Sequence, residues 1–132
     1  LGSALEVDAV SKWYFNLTSN DRIVFRALES EAAQHPGKTI LITGVDDDVF
    51  LHTVAGGADR TLGIQTIWLP PGQDAVLDGG RLPNLQRFRV DPGVLTEALR
   101  QNQVRVLEIS GVVARDVTDT YRAAEAGAGA SN

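Results

Sequence analysis

An acidic run, with a histidine one helical turn beyond it, holds the residue types of this chain best suited to chemistry. Asp46, Asp47 and Asp48 come just after Gly44 at the end of an apolar segment, and His52 lies four residues beyond Asp48. Carboxylate oxygens are the ligands that Mg²⁺ prefers, and the four-residue spacing places Asp48 and His52 on one face of a helix. We therefore take Gly44, Asp46, Asp47, Asp48 and His52 as candidate ligand-binding residues, and we assign no catalytic residue and no metal ligand.

The same acidic run has a simpler interpretation as the start of a helix. An aspartate at an N-cap accepts hydrogen bonds from the first free backbone amides, and its acidic neighbours interact favourably with the positive end of the helix. A metal site would need further ligands from elsewhere, and the sequence identifies none beyond Asp91, which follows a later apolar segment. We favour the capping interpretation and predict no cofactor; Mg²⁺ belongs only to the alternative in which this loop binds metal or phosphate.

The elements that must position these residues alternate between apolar strands and amphipathic helices. The segment 39–44 is apolar without alternation, which is typical of a parallel strand that is covered on both faces. The predicted strands are 39–44, 65–69, 87–90 and 104–109, and the predicted helices are 20–34, a second that starts at 47 or 48 and ends at 55, and 91–102. This order predicts an α/β fold: a small, Rossmann-like three-layer sandwich with a mostly parallel sheet of about four strands and flanking helices. The acidic run would then follow the first strand, where such folds bind ligands.

Capping residues and helix breakers set the expected boundaries. We expect Ser19 or Asn20 to cap the first helix, Gly56-Gly57 to end the second, and Asp91 to cap the third. Segment 73–84 is expected to be a loop, and 112–121 stays unassigned. The predicted organisation is a lead-in over 1–18 that is partly vector-derived, a single α/β domain over 19–121, and a flexible tail over 122–132.

Composition excludes several classes of protein. The chain has 132 residues, a formal net charge of −5, and neither cysteine nor methionine. A disulfide scaffold and a cysteine zinc site are therefore excluded, and the acidic balance opposes a nucleic-acid partner. No apolar run approaches the roughly 20 residues of a spanning helix. Because the sequence starts at Leu1 and lacks an initiator, we expect it to be a piece of a longer protein.

One short pattern pairs the apolar segment 40–42 with the acidic run 46–48. It resembles the opening of a bacterial response-regulator receiver domain, in which an acidic pair binds magnesium beside a phosphate-accepting aspartate. Asp91 and Ser110 would match the acceptor and the hydroxyl residue of that family. The family's lysine has no counterpart, because no lysine follows Lys38. The charge pattern for phosphoryl transfer is thus incomplete.

A longer pattern runs from residue 13 to residue 70. It comprises Trp13, a helix that ends before Pro36-Gly37, the strand 39–44, the polar loop 46–50 and the strand 65–69. This order is similar to the soluble C-terminal region of bacterial multi-pass membrane proteins of the mannosyltransferase-like (glycosyltransferase) class. In that family the catalytic acid lies in membrane loops, so the resemblance implies that the residues of this chain are not catalytic.

Together these observations predict a non-catalytic recognition or support domain of a larger, membrane-anchored bacterial protein. The expected location is the extracytoplasmic face of a membrane, with a cytoplasmic location left open, and membrane contact would involve only parts of the parent chain outside this sequence. The alternative is a small magnesium- or phosphate-binding α/β domain, receiver-like or enzymatic, that uses the acidic loop. Whether the chain is an enzyme stays open, and the partner stays unidentified.

Overall fold

Six strands form one sheet in the part of the chain that the computed structural model describes, residues 14–78 and 87–130. The elements in chain order are α1 (Ser19–Gln34), β1 (Thr39–Thr43), α2 (Asp48–Leu62), β2 (Thr66–Leu69), β3 (Val76–Asp78), β4 (Arg87–Arg89), α3 (Pro92–Arg100), β5 (Val104–Ser110), β6 (Val113–Asp116) and α4 (Thr118–Ala130). The strand order is β4-β3-β2-β1-β5-β6. The central strand β1 pairs in parallel with β2 and β5, whereas β3, β4 and β6 are joined in antiparallel fashion.

The predicted α/β class is confirmed, but the sheet is larger and more mixed than expected. About four mostly parallel strands were predicted; the structure has six, of which three form the parallel centre. The predicted loop 73–84 contains β3, and the unassigned segment 112–121 contains β6 and the first turn of α4. These strands are only three and four residues long, too short for an alternating pattern to stand out in the sequence.

Two apolar clusters explain why β1 lacks alternation. Ile40 and Ile42 pack with residues of α1 and α2, whereas Leu41 packs with residues of α3 and α4. All three side chains are at most 1% exposed. Neighbouring residues of β1 therefore enter different clusters, and every position of the strand's centre must be apolar.

Two of the predicted helix boundaries are wrong. Thr18, not Ser19 or Asn20, caps α1, because its Oγ1 accepts a hydrogen bond from Asp21 N at 3.1 Å. The helix α2 continues through Gly56-Gly57 and ends only at Gly63, whose φ of +66° is left-handed. Both internal glycines are buried in a segment that packs against α1. Glycine inside a helix costs about 1 kcal/mol, so the pair lowers the intrinsic helix propensity of α2 without ending the helix.

The two ends of the chain are described only in part. Residues 1–13, most of the predicted lead-in, lie outside the described residues, as do the last two. Residues 122–130, which were predicted as part of a flexible tail, lie in α4. Among the described residues, no helix combines the length and the apolar character that crossing a membrane requires.

Candidate functional site

The exit from β1 is built around Gly44. Its φ is +87°, and a Cβ at this position would lie 2.3 Å from the carbonyl oxygen of Ile109 at the end of β5. No other residue fits both the left-handed backbone and this close approach. The glycine is therefore a packing requirement, and the chain that leaves it continues over the ends of β1 and β2.

Asp47 is the N-cap of α2. Its Oδ1 accepts a hydrogen bond from Phe50 N at 3.1 Å, and its carbonyl accepts one from Leu51 N at 3.0 Å. The capping interpretation of the acidic run is thus confirmed for this residue. Asp46 is exposed, and the side chain of Asp48 lies outside the described residues.

Asp46 and Asp47 line an open cleft of about 860 Å³ at the carboxyl ends of β1 and β2. The remaining lining residues are Val49, Trp68, Pro70, Pro71, Gln73 and Val76. Trp68 is held in place because its Nε1 donates a hydrogen bond to Val45 O at 2.7 Å. The cleft thus has two carboxylates on one wall and mainly apolar groups on the other, which suits binding of a ligand or a peptide segment.

The structure does not bring all the predicted residues to this cleft. His52 is partly buried on α2 and is not among the residues that line the cleft. Asp91 caps α3, because its Oδ1 accepts hydrogen bonds from Gly93 N at 2.8 Å and Val94 N at 3.3 Å. It follows β4, which lies three strand spacings from β1, or roughly 14 Å. Asp91 therefore does not share an ion with Asp46 and Asp47.

Sequence reasoning missed the wall formed by Trp68, Pro70 and Pro71. A signal was present, since these residues end the strand that follows the first β-α unit. Parallel neighbouring strands end at the same edge of a sheet, so the proline segment after β2 had to lie beside the acidic loop after β1.

A second polar cluster, also missed, joins Glu31 on α1, Arg105 on β5 and Asp116 at the end of β6. Arg105 Nε donates to Glu31 Oε1 at 3.1 Å, and Arg105 Nη2 donates to Asp116 Oδ2 at 2.6 Å. Asp116 Oδ1 accepts from both Thr118 N at 2.9 Å and Thr118 Oγ1 at 2.5 Å. Glu31 is only 6% exposed, whereas Asp116 is exposed, so the inner end of this Arg105 cluster is enclosed and its outer end reaches solvent.

The two carboxyl groups of this cluster have opposite pKa shifts. Burial raises the pKa of Glu31, and the hydrogen bond from Arg105 offsets only part of that effect. Burial also acts to raise the pKa of Asp116, but the hydrogen bonds from Thr118 and Arg105 outweigh it and hold this pKa well below its usual range. The sequence signal was Arg105 itself. It is a charged residue on the same face of β5 as Leu107 and Ile109, whose side chains belong to the apolar core, so it requires a partner there.

Comparison with known proteins assigns no family. The chain matches no family model, no curated protein and no solved structure.

Proposed function

We propose that this chain is a non-catalytic recognition or support domain of a larger, membrane-anchored bacterial protein, and that the cleft at the carboxyl ends of β1 and β2 is its recognition surface. The observation that carries the proposal is the state of the acidic run. Oδ1 of Asp47, whose carboxylate the alternative would use for a metal, already accepts the hydrogen bond that caps α2. Asp46 then remains as an exposed acceptor beside an apolar wall, which is an arrangement for binding rather than for proton transfer or phosphoryl transfer.

The membrane-anchored setting rests on a different observation. It comes from the resemblance of residues 13–70 to the soluble region of mannosyltransferase-like membrane proteins, which also suggests the glycosyltransferase association and the extracytoplasmic face. In that setting the domain would hold or recognise another part of its own protein or that protein's ligand.

A three-layer, Rossmann-like arrangement is the finer fold that fits this proposal. It is supported by the partition of the helices, since α1 and α2 contribute to one apolar cluster and α3 and α4 to the other. In such an arrangement the ends of β1 and β2 form a rim that the helices leave open, so the cleft would face outward to a partner.

Two exposed valines allow a matched test in the full product of the gene. Val49 lies at the cleft in the first turn of α2 and is 74% exposed, whereas Val94 lies in the first turn of α3 and is 62% exposed. A photo-reactive amino acid is placed at either position, and membranes are isolated before irradiation. We expect a crosslink from position 49 to one defined segment of the same protein, and none from position 94. Equal crosslinking from both positions, no crosslink from position 49, or recovery of the product outside the membrane fraction would reject the proposal.

The alternative function, a small magnesium- or phosphate-binding domain, is favoured by the presence of both Asp46 and Asp47 at the carboxyl ends of the strands. Adding millimolar MgCl₂ to the ¹⁵N-labelled chain distinguishes the two. We expect the amide resonances of residues 44–52 to stay in place, because Asp47 Oδ1 already accepts the capping hydrogen bond and Asp46 is exposed to water. A saturating movement of those resonances, absent with NaCl of equal ionic strength, would establish the magnesium-binding alternative instead.

A further inference from the structure

The Arg105 cluster at α1, β5 and β6 contains a set of atoms that could serve as metal ligands. One donor atom each from Glu31, His35 and Asp116 lies within 4.8 Å of the others. A cation already belongs to this set, however, because the guanidinium of Arg105 binds both carboxylates. The position of a metal ion is thus taken by a side chain of the protein itself.

The charges of the cluster do not balance. Two carboxyl groups, Glu31 and Asp116, share the single guanidinium of Arg105, so the fully ionised cluster has one negative charge in excess. Its two inner members are largely removed from water, since the side chain of Glu31 is 8% exposed and that of Arg105 is 12% exposed. An uncompensated charge in such a place is strongly unfavourable, and one further positive charge would relieve it.

We propose that this positive charge is a proton held on Glu31, and that it makes the attachment of β6 and α4 to the body of the domain sensitive to pH. Asp116 stays ionised, because it accepts two hydrogen bonds from Thr118 and one from Arg105. The protonated Glu31 can in turn donate toward Asp116, and the excess charge disappears.

The attachment that depends on this charge balance is a short chain of hydrogen bonds. Thr118, which Asp116 orients, accepts a hydrogen bond from Val106 N at 2.8 Å, and Val117 N donates to Val106 O at 2.9 Å. These bonds fix the start of α4 on β5. When Glu31 loses its proton, repulsion between the two carboxylates acts on Asp116, and so on the residue that holds this junction.

The direction of the pH effect follows from the pKa of Glu31, which burial raises above its ordinary value of 4.5. The folded chain then keeps a proton that the unfolded chain releases, so stability declines as the pH rises from 4.5 through the folded-state pKa. The lowered pKa of Asp116 has the opposite effect on stability, which falls with decreasing pH, but only below pH 3.8, the ordinary pKa of this group. His35 also faces Glu31, with Nε2 at 4.0 Å from Oε1, so its protonation must be separated from that of Glu31.

Three variants separate these groups. Glu31→Gln keeps the shape of the side chain and removes its titration. Glu29→Gln is the matched control, since Glu29 lies on the same helix but is exposed and pairs with Arg26. His35→Gln removes the neighbouring histidine. The melting temperature of each protein is measured from pH 4.5 to about pH 8, with the protection of the Val106 amide from hydrogen exchange as a local readout.

We expect the melting temperature and the Val106 protection factor of the wild-type chain to decline with rising pH relative to those of E31Q, and E29Q and H35Q to follow the wild type. An unchanged pH dependence in E31Q would overturn the proposal. So would loss of the dependence in H35Q, or a rise in melting temperature with Zn²⁺ that H35Q abolishes, because the relevant cation would then be the histidine or a metal.

A direct titration keeps the proposal testable if E31Q does not fold. The side-chain carboxyl carbon of Glu31 in the ¹³C-labelled wild-type chain reports its protonation. We expect a midpoint above 4.5, the ordinary value. A midpoint at or below that value would reject the proposal, whatever the behaviour of the variants.

Discussion

The two acidic sites of this domain differ in what surrounds their carboxylates. At the cleft, Asp46 is exposed and Asp47 accepts a backbone hydrogen bond at a helix start. At the Arg105 cluster, the buried Glu31 and the exposed Asp116 are connected through Arg105 and tie three elements together. The acidic run stands out in the sequence, but the capping bond that Asp47 makes is local to its own helix. The carboxylates of Glu31 and Asp116, which connect distant parts of the chain, come from separate stretches of the sequence. A conspicuous cluster in sequence is therefore a poor guide to which charges hold a structure together.

Removing the guanidinium of Arg105 should lower the free energy of unfolding more than any other change proposed here, and it tests the difference between the two acidic sites most directly. In Arg105→Met, Glu31 and Asp116 lose their shared partner, and Glu31, whose side chain is 8% exposed, stays enclosed, so we expect a loss of about 3–5 kcal/mol in the free energy of unfolding. The matched control is Arg115→Met. Arg115 pairs with Glu108 across the same two strands, but its side chain is 66% exposed, and its loss should cost less than about 1 kcal/mol. Similar losses for the two variants in urea unfolding would remove the distinction between the sites.

Gly44→Ala tests whether the exit of β1 is fixed by packing. The new Cβ would meet the carbonyl of Ile109 in a left-handed backbone, and we expect a loss of about 2–3 kcal/mol. Gly63→Ala is the control, because Gly63 has a similarly positive φ but nothing within 4 Å of the added atom. Strain alone should cost that variant about 1 kcal/mol. If thermal unfolding gives the two variants equal losses, the close approach to β5 contributes nothing.

Asp47→Ala should have the smallest effect of the three. It removes the capping bond to Phe50 N and should lower the free energy of unfolding by about 1 kcal/mol. Asp46→Ala, one residue away and also at the cleft, should stay within about 0.5 kcal/mol of the wild type. A larger loss in Asp46→Ala than in Asp47→Ala, measured by chemical denaturation, would reverse the roles assigned to these neighbours.

Features that depend on local chemistry could be predicted from the sequence, and features that depend on distant partners could not. Asp91 caps α3 as expected, and an aspartate of the acidic run caps α2 as expected, because an N-cap depends on the few residues that follow it. That rule is good only to about one residue, since Thr18 rather than Ser19 or Asn20 caps α1. The prediction that Gly56-Gly57 ends α2 was wrong, because the helix continues to Gly63. The pairing of Glu31 with Arg105 joins residues 74 positions apart, and no local pattern encodes it.

The cleft could be predicted from the sequence only in part. Its acidic wall was predicted, since the loop follows the first strand of a parallel unit. Its opposite wall required knowledge that β2 lies beside β1, and the assignment of His52 required the rotation of α2, which a four-residue spacing alone does not define. Spacing therefore predicted which residues share an element, but not which elements face each other.

The antiparallel strands at the two margins of the sheet have a consequence for how this domain behaves in a crowded solution. Long, flat edge strands would offer unpaired backbone N–H and C=O groups to strands of other chains and so promote aggregation. Here the outermost strands β4 and β6 have three and four residues, and their exposed side chains include Arg89 and Arg115. Short, charged edge strands of this kind discourage the addition of further strands, and the apolar β1 lies well inside the sheet that the described residues form.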